Sequence, residues 1–246
     1  MRSKRYPAAV VAGLVIASVV LAAPVAAARP GGGSGARYLD FAGYRWLAKS
    51  STRKIGPGPN LFDPNGAWVD AAGNLHLTIR KVGSRWYSSE VINQQSLGFG
   101  TYSWTVEGDL DALDQNAVLG LFTWNDDPAY NHREIDIEFA RWSYATDPTN
   151  GQWVVQPYST DGNLLRTTQP ADVTSSTHSF TWKPSAVDFA STSAAPGTWT
   201  YGGPDVPRPG GENARMNLWQ FRGQAPSDGQ TIEIVITDFT FTPLAG

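Results

Sequence analysis

The sequence predicts an all-β fold, a sandwich of two antiparallel sheets packed face to face. Short stretches that alternate apolar and polar residues follow one another, separated by Gly, Pro, Asp and Asn, and no sustained helical period interrupts them. Because a sheet must cover its apolar face, many strands without helices imply that one sheet covers another. A strongly curved sheet would also present a concave outer face to solvent.

Six strands are predicted from their period-two pattern and from the turn residues that flank them. In chain order they are Asn74–Arg80, Gly100–Glu107, Ala117–Trp124, Arg133–Trp142, Gln152–Ser159 and Thr177–Lys183. We expect the apolar sides of these strands to form the core.

The C-terminal part of the chain is predicted to contain a strand with an irregularity. Isoleucines alternate inward from Ile232 to Ile236, and the parity then changes to Phe239 and Phe241. This change predicts a β-bulge near Thr237. Before that strand, Thr192–Gly211 is rich in Pro and Gly and is predicted to be a long surface loop that rims the concave face.

The N-terminus has the pattern of a secretory signal peptide. Basic residues precede an apolar run from Ala8 to Ala23, and the small residues Ala26–Ala28 come before Arg29. The run is 16 residues long, shorter than the ~20 residues that a membrane-spanning helix needs. We therefore expect residues 1–28 to be removed after Ala28 and the chain to be secreted, without stable membrane association.

The mature chain is predicted to be one domain, residues 37–246, preceded by a flexible Gly-rich leader, residues 29–36. Removal of residues 1–28 lowers Lys+Arg from 19 to 16 against 22 Asp+Glu, a net charge of −6, so nucleic acid is not an expected partner. The chain has no cysteine, so its stability after export depends on packing alone. We expect a monomer.

An unusual acidic strand is predicted at Glu134–Glu138. Side chains alternate across a strand, so Glu134, Asp136 and Glu138 share one face, while the isoleucines between them and Phe139 face the core. Neighbouring acids on that face are only ~6.6 Å apart at the backbone, no Lys or Arg separates them, and Asp and Glu are poor strand formers. A sequence that accepts this repulsion indicates a functional site.

The spacing of the two glutamates suits glycoside hydrolysis. Four residues of strand span ~13 Å, and side chains that lean together over a concave sheet would bring the carboxyls to about 5 to 6 Å, the separation found in retaining glycosidases. Clustered carboxylates also bind Ca²⁺ or Mg²⁺, although a straight row suits a cation less well than a wrapped loop does. A solvated acidic strand without function is the third interpretation. A nucleophilic serine is disfavoured because the chain has no Gly-x-Ser-x-Gly turn.

The run Glu134–Phe139 resembles the active-site signature of glycoside hydrolase family 16, which includes laminarinases, lichenases and xyloglucan-modifying enzymes. Gly98–Trp104, His178–Trp182 and Met216–Trp219 resemble further strands of that family, and the resemblance extends over roughly Gly43–Leu244. One version of the family's strand has an extra residue before the second Glu. This chain has the plain version, which is closer to the lichenase and xyloglucan branch.

The resemblance implies a concanavalin-like β-jelly roll with a concave substrate cleft, and a retaining catalytic domain. In that family's terms Glu134 would be the nucleophile, Asp136 the residue that hydrogen-bonds and tunes it, and Glu138 the general acid and base. The sequence alone does not order the two glutamates. The resemblance also implies that no cofactor is required and that a structural calcium often lies away from the cleft, although nothing in the sequence identifies its ligands.

Substrate contacts are expected from aromatic and polar side chains close to the acidic strand, because flat rings stack on the C–H faces of sugars. The candidates are Glu90, Trp124, Tyr130, His132, Trp142, Tyr158, Asn217 and Trp219. The tryptophans that stand in period-two apolar patterns are expected in the core: Trp46, Trp68 and Trp182. Glu90 lies where the family often has a substrate-contacting Glu, but Val91 and Ile92 follow where an Arg is common.

Each histidine is a candidate acid–base group, because the ordinary pKa of the side chain is ~6.5. His132 has the parity of Glu134, so it faces the cleft if the strand already runs straight there. His76 lies on the polar face of Leu75–Ile79 and is expected at the surface.

The expected function is that of a secreted, retaining endo-β-glycosidase that hydrolyses a β-linked polysaccharide, with a β-glucan favoured. Two alternatives stay open. A transglycosylase would use the same residues and differ only in what resolves the covalent intermediate. A non-catalytic, lectin-like carbohydrate-binding domain would keep the aromatic cleft but has no need of three acids.

Overall fold

The coordinates, a computed structural model, describe residues 35–245. The predicted signal peptide, residues 1–28, and residues 29–34 of the predicted leader lie outside the described residues. Within 35–245, no helix is both long and apolar enough to cross a membrane.

The described chain consists of β-strands joined by turns and by four short 3-10 segments. The strands are β1 Arg37–Phe41, β2 Tyr44–Ala48, β3 Ala67–Val69, β4 Leu75–Val82, β5 Arg85–Tyr87, β6 Ser89–Asn93, β7 Gly100–Glu107, β8 Ala117–Trp124, β9 Ile135–Phe139, β10 Gly151–Val155, β11 Leu164–Thr167, β12 Ser175–Lys183, β13 Ala186–Ser191, β14 Thr198–Tyr201, β15 Asn213–Gln220 and β16 Ile232–Pro243. The 3-10 segments are Pro64–Gly66, Leu110–Ala112, Asn131–Arg133 and Phe221–Gly223.

The strands form two antiparallel sheets that pack face to face, as the sequence predicts. One sheet, called here the cleft sheet, has the order β1-β2-β6-β15-β8-β9-β10-β11. The other, the back sheet, has the order β14-β13-β12-β7-β16-β4-β3, with β5 paired to β4. Strands that are distant in the chain therefore become neighbours at the centre of each sheet.

The core lies between the two sheets and is rich in aromatic rings. Trp46 of the cleft sheet meets Phe239 of the back sheet edge to face, with centroids 5.2 Å apart, and Trp153 stacks on Phe189 at 5.6 Å. Such rings each bury 150–250 Å² and add roughly 0.5–1.5 kcal/mol per aromatic pair beyond burial. The predicted core positions of Trp46 and Trp182 are confirmed by full burial.

Trp68 corrects one expectation. It is half-buried rather than in the core, because it stacks on the His76 ring on the outer face of the back sheet, with centroids 4.8 Å apart. His76 lies on that outer face, as expected, and its ring nitrogens lie 2.6 Å from Glu233 Oε1 and 3.3 Å from Asp70 Oδ2.

The predicted strand bounds hold where alternation is uninterrupted, as in β7 and β8, which begin and end where predicted. The bulge near Thr237 is confirmed by a register shift between Ile236 and Asp238. Thr192–Gly211 is not wholly a loop, because Thr198–Tyr201 alternates strand-forming residues and pairs with β13.

Candidate active site

The acidic strand β9 turns its two faces to different environments. Ile135 and Ile137 are fully buried between the sheets. Glu134, Asp136 and Glu138 project from the opposite face into an open cleft of about 500 Å³. The strand is shorter than predicted and begins at Ile135, but Glu134 keeps an extended backbone and remains on the same face as the other two acids.

Strand pairing brings residues from four other strands level with the acids. The Cα partners Glu90, Asn217, Gly120, Glu138 and Gln152 form one row across the cleft sheet, from β6 to β10. Since residues directly opposite in neighbouring strands point to the same face, this row forms part of the cleft floor.

The cleft is lined by charged, amide and aromatic side chains. Its lining includes Lys49, Ile55, Gly56, Pro57, Glu90, Ile92, Gly120, Phe122, Trp124, Asp126, Glu134, Asp136, Glu138, Arg215, Asn217 and Trp219. Four of the predicted substrate-binding residues line the cleft: Glu90, Trp124, Asn217 and Trp219. Trp142 does not line it.

Asp136 is the most enclosed of the three acids, with 4% of its surface exposed. Gln156 Nε2 donates a hydrogen bond to Asp136 Oδ2 over 2.9 Å. Burial, followed by the nearby charges of Glu134 and Glu138, raises the pKa of Asp136 well above its usual value. A protonated Asp136 donates to the Glu134 carboxylate, and this hydrogen bond lowers the pKa of Glu134.

The pKa of Glu134 is subject to opposing effects. Burial and the charge of Glu138 raise its pKa to about 8, whereas the hydrogen bond from Asp136 and the guanidinium of Arg215 act to lower it. The carboxylate form of Glu134 is therefore supported by one proton donor and one cation.

Glu138 has a separate set of partners. Gln152 Nε2 donates to Glu138 Oε2 over 2.6 Å, and Arg166 donates to the other end of the same amide, Gln152 Oε1, over 3.0 Å. Burial raises the pKa of Glu138 to about 7, while Gln152 and the charge of Arg166 oppose that rise. Because the three carboxyls interact, their protons belong to the cluster, which keeps at least one proton near neutral pH.

Glu90 is buried in the floor of the cleft, with 1% of its surface exposed. Lys49 Nζ donates to Glu90 Oε2 over 2.7 Å, and Arg215 and Asn217 each approach its carboxylate at 3.4 Å. The family resemblance led us to expect a cation just after Glu90. Cations are supplied instead by Arg215 of β15 and by Lys49, the residue after β2. A buried carboxylate with these partners holds Lys49, Arg215 and Asn217 in place.

Trp124 and His132 form a stacked pair at the Glu134 end of the cleft. Their ring centroids are 4.2 Å apart and their planes differ by 7°. His132 has φ 62°, so the strand does not run straight there, and the parity argument for His132 is wrong. The ring stacks on Trp124, and its Nδ1 lies 2.9 Å from the carbonyl oxygen of Asn125.

Trp219 and Trp142 lie at the Glu138 end. Trp219 lines the cleft, and Trp142 packs against it with centroids 6.1 Å apart. Trp142 also meets Phe221 at 5.2 Å, so its placement supports Trp219 rather than the cleft surface.

Tyr130 and Tyr158 are exposed and do not line the cleft. Tyr158 keeps 67% of its surface exposed, and Tyr130 46%. The loops that carry them are joined, because Asn131 Nδ2 donates to the carbonyl oxygen of Gln156 over 3.3 Å. Any contact of these two tyrosines with a ligand stays a prediction.

Several residues of the site were not predicted from the sequence: Lys49, Gln152, Gln156, Arg166 and Arg215. Arg215 had a usable signal, because it shares the parity of Asn217 and Trp219 on one strand. Lys49 and Arg166 had none, since only the order of strands in the sheet brings them to the acids.

No group of three or more His, Asp or Glu side chains in residues 35–245 is arranged to hold a metal ion. The structural calcium implied by the family resemblance therefore has no assigned ligands here and stays a prediction.

The fold is similar to that of solved glycoside hydrolases. A Bacillus licheniformis β-glucanase superimposes with a TM-score of 0.63 at 18% identity, over 85% of this chain and 99% of that one. A glycoside hydrolase family 16 protein of Bacteroides ovatus, solved with a G4G4G3G product, gives 0.63 at 14% identity, over 80% and 94% of the two chains. An immunostimulatory antigen and pseudo β-1,3-glucanase of Mycobacterium tuberculosis gives 0.57 at 20% identity, over 78% and 88%.

Neither a family model nor a curated protein matches the sequence. At these low identities the structural likeness concerns the fold. It confirms the jelly-roll sandwich and, at the level of the fold, the resemblance to glycoside hydrolase family 16.

Proposed function

We propose that the protein is a secreted, retaining endo-β-glycosidase that hydrolyses a β-linked polysaccharide, with a β-glucan as the expected substrate. One observation carries the proposal: Glu134 and Glu138 face one cleft from a single strand, with the buried Asp136 between them. The β-glucanases and lichenases among the solved structures of this fold support the choice of substrate.

The chemistry proceeds in two displacement steps. In the first, the Glu134 carboxylate attacks the anomeric carbon while Glu138 donates its proton to the departing glycosidic oxygen, which leaves a covalent glycosyl-enzyme. In the second, Glu138 takes a proton from water, and the oxygen of that water displaces Glu134 from the sugar. The two inversions together retain the anomeric configuration.

The proposed roles require a protonated Glu138 and an ionised Glu134. A pKa raised to about 7 supports Glu138 as the proton donor. Burial and the charge of Glu138 raise the pKa of Glu134 to about 8, which opposes its role, whereas the hydrogen bond from Asp136 and the charge of Arg215 favour the ionised form. The two glutamates titrate as a pair, and the reaction requires that the pair hold a single proton.

The first test is a panel of polysaccharides. The mature protein is incubated with lichenan, laminarin, xyloglucan, agarose and carrageenan, and new reducing ends and product lengths are followed. We expect internal cleavage of a β-glucan. Glu134→Gln and Glu138→Gln should each lose at least ~10³-fold in kcat, while Glu107→Gln, the same change at an exposed position of the back sheet, should keep full activity.

The second test assigns the two glutamates with azide and an oligosaccharide that carries an activated aryl leaving group. In Glu134→Ala, azide fills the space of the nucleophile and displaces the aryl group once, which gives an α-glycosyl azide. In Glu138→Ala, the aryl group needs no proton and azide attacks the covalent intermediate, which gives a β-glycosyl azide. Exchange of the two products would reverse the assignment.

A non-catalytic carbohydrate-binding protein is the second candidate, and the likeness to a mycobacterial pseudo β-1,3-glucanase favours it. The same panel separates the two, because binding to a polysaccharide without new reducing ends would support the binding protein. Products longer than the substrate would support a transglycosylase instead.

Secretion rests on the sequence pattern of residues 1–28. The test is expression with the full N-terminus in a secreting host, followed by mass determination of the protein in the medium. The expected mature chain begins at Arg29, and a protein that stays in the cells with residues 1–28 attached would contradict the proposal.

A further inference from the structure

A second cavity of about 480 Å³ lies next to the cleft. Its walls come from the loop after β2, from the start of β5 and from the turn that follows β15. Among the side chains that line it are Arg53, Lys54, Arg85 and Trp86. We call this cavity the basic pocket.

The cations of the basic pocket lack anionic partners. No Asp or Glu lines the pocket. Within the part of the chain that the structure describes, Arg53, Lys54 and Arg85 form no ion pair and no side-chain hydrogen bond, and all three are exposed. Most of the other arginines that are buried or half-buried pair with carboxylates: Arg80, Arg133, Arg141, Arg166 and Arg215.

Three unpaired cations around one concavity repel one another, and an anion between them relieves that repulsion. The chain as a whole is acidic, with a formal net charge of −3, so the pocket is a local exception to the charge of the molecule. A concave site of one sign concentrates ligands of the other sign.

The wall of the pocket is held by hydrogen bonds. Asn60 is 1% exposed, and its Nδ2 donates to the carbonyl oxygens of Pro57, over 2.7 Å, and Gln220, over 2.9 Å. These bonds tie the loop to the end of β15, so the concavity is a built feature of the fold and does not depend on the exposed side chains.

The same loop separates the basic pocket from the cleft. Ile55 and Pro57 line the cleft, while Pro59 and Asn60 line the pocket. On β15, Trp219 lines the cleft and the next residue lines the pocket. A polysaccharide that leaves the cleft beside Trp219 thus meets the pocket after crossing a single loop.

We propose that the basic pocket binds an oxyanion carried by a polysaccharide: a carboxylate, a sulfate or a phosphate. Arg53 and Arg85 supply planar guanidinium groups, which bind such oxyanions with paired hydrogen bonds. The half-buried Trp86 offers an aromatic surface against which the sugar that bears the anion can pack. The pocket would select polysaccharides that carry negative charge.

The experiment compares two ligands that differ only in charge. Binding of carboxymethylated β-glucan oligosaccharides and of their uncharged parents is measured by titration calorimetry in ~50 mM and ~500 mM NaCl, with the mature protein carrying Glu134→Gln so that the ligands are not cleaved. We expect the charged ligand to bind about tenfold more tightly at low salt, and the difference to disappear at high salt because the cations are exposed.

Variants locate the effect. The double variant Arg53→Ala/Arg85→Ala should remove the advantage of the charged ligand, whereas Arg208→Ala, which deletes an exposed arginine outside both cavities, should keep it. Circular dichroism melts of both variants show whether they fold. Equal affinity for charged and uncharged ligands, or an advantage that survives in the folded double variant, would overturn the proposal.

A competition arm identifies the source of the anion. If saturating uncharged oligosaccharide displaces the charged one, a single chain occupies both the cleft and the basic pocket. If the charged ligand binds alongside, a second polymer supplies the anion, and the pocket is a separate site. Because no turnover is involved, these results stand even if the polysaccharide panel reveals no hydrolysis.

Discussion

Glu134 and Glu138 differ in the groups that hold them, although the sequence presents them symmetrically. Glu138 accepts from an amide that Arg166 orients, whereas Glu134 is approached by the carboxyl of Asp136 and by Arg215. An amide donor can remain in place while a carboxylic acid gains and loses its proton. A second carboxylic acid can instead donate a hydrogen bond that stabilises an anionic nucleophile. The surroundings therefore agree with the roles that the family resemblance implies, with Glu134 as nucleophile and Glu138 as general acid and base.

Removal of the amide donor should shift the pH dependence of activity. In Gln152→Leu the hydrogen bond that favours the Glu138 carboxylate is lost, so the pKa of Glu138 rises further above its usual value. A general acid works below its pKa, and the alkaline limb of kcat/KM should therefore move to higher pH by on the order of one unit.

The matched control for this shift is Gln230→Leu, at an exposed position outside the cleft. Its pH profile should coincide with that of the unmodified protein. An alkaline limb in Gln152→Leu that stays in place or moves to lower pH would contradict the role given to Gln152.

At the scale of elements, the turn before β9 determines where the acidic strand begins. Four consecutive residues, Tyr130–Arg133, have positive φ values between 51° and 62°. Side chains with a Cβ pay roughly 1–2 kcal/mol each for this left-handed conformation. The turn brings the His132 ring under Trp124, which a straight strand would not do.

His132→Ala should therefore weaken substrate binding more than chemistry. Without the stacked ring and the hydrogen bond to the Asn125 carbonyl oxygen, Trp124 loses the partner that holds its ring in place. We expect KM on the best polysaccharide to rise by about three- to tenfold, with kcat within about twofold, in keeping with a loss of uniform binding. Normal KM would remove His132 from the site.

A methyl group at Gly120 should disturb the floor of the cleft. A Cβ there would lie 2.5 Å from Asn217 Oδ1, and Asn217 in turn contacts Glu90. We expect Gly120→Ala to fold but to lose more than about tenfold in kcat/KM, because a 1 Å displacement near reacting groups is costly.

The control Gly202→Ala adds the same methyl where the nearest atom, Ser185 O, is 4.0 Å away. Its activity should be unchanged. Equal activity of both variants would show that the row from Glu90 to Glu138 tolerates displacement.

Strands with regular alternation were predictable, and their ends were less so. β7 and β8 have the predicted bounds because alternation continues to both ends. The predicted strand Arg133–Trp142 was too long, because Arg133 and Trp142 themselves have left-handed backbones that end strand pairing. Such backbone conformations cannot be recognised from the alternation of apolar and polar residues.

At the scale of the whole molecule, the order of strands in the sheets was the part that the sequence did not reveal. Glu90, Glu138 and Asn217 were each identified as candidates, and pairing of β6, β15, β8 and β9 places them in one row. The three acids on one face follow from strand periodicity alone. The roles of Lys49 and Arg166 could be recognised only from the strand order. Lys49 bonds to Glu90, which is 41 residues away, and Arg166 bonds to Gln152 in the neighbouring strand.

The buried His178 should make the whole molecule sensitive to acid. Burial lowers the pKa of His178 from 6.5 to about 3. The unfolded chain takes up this proton below about pH 6.5 and the folded chain only near pH 3, so stability falls as the pH is lowered through that interval. At pH 4.5 the loss should be about 2 to 3 kcal/mol relative to pH 7.

His178→Gln should remove this contribution while an amide remains available to Ser176, whose hydroxyl lies 2.8 Å from the His178 ring. Urea unfolding at pH 7 and pH 4.5 measures the difference. The stability of the variant should fall less between the two pH values than that of the unmodified protein. Parallel losses would show that His178 is not the titrating group.

The latest strands of the chain occupy the middle of both sheets: β15 lies between β6 and β8, and β16 between β7 and β4. Until β15 and β16 have been synthesised, each sheet lacks a central strand, and the earlier strands on either side of it have no partner to pair with. Completion of both sheets therefore depends on two strands that come late in the described chain.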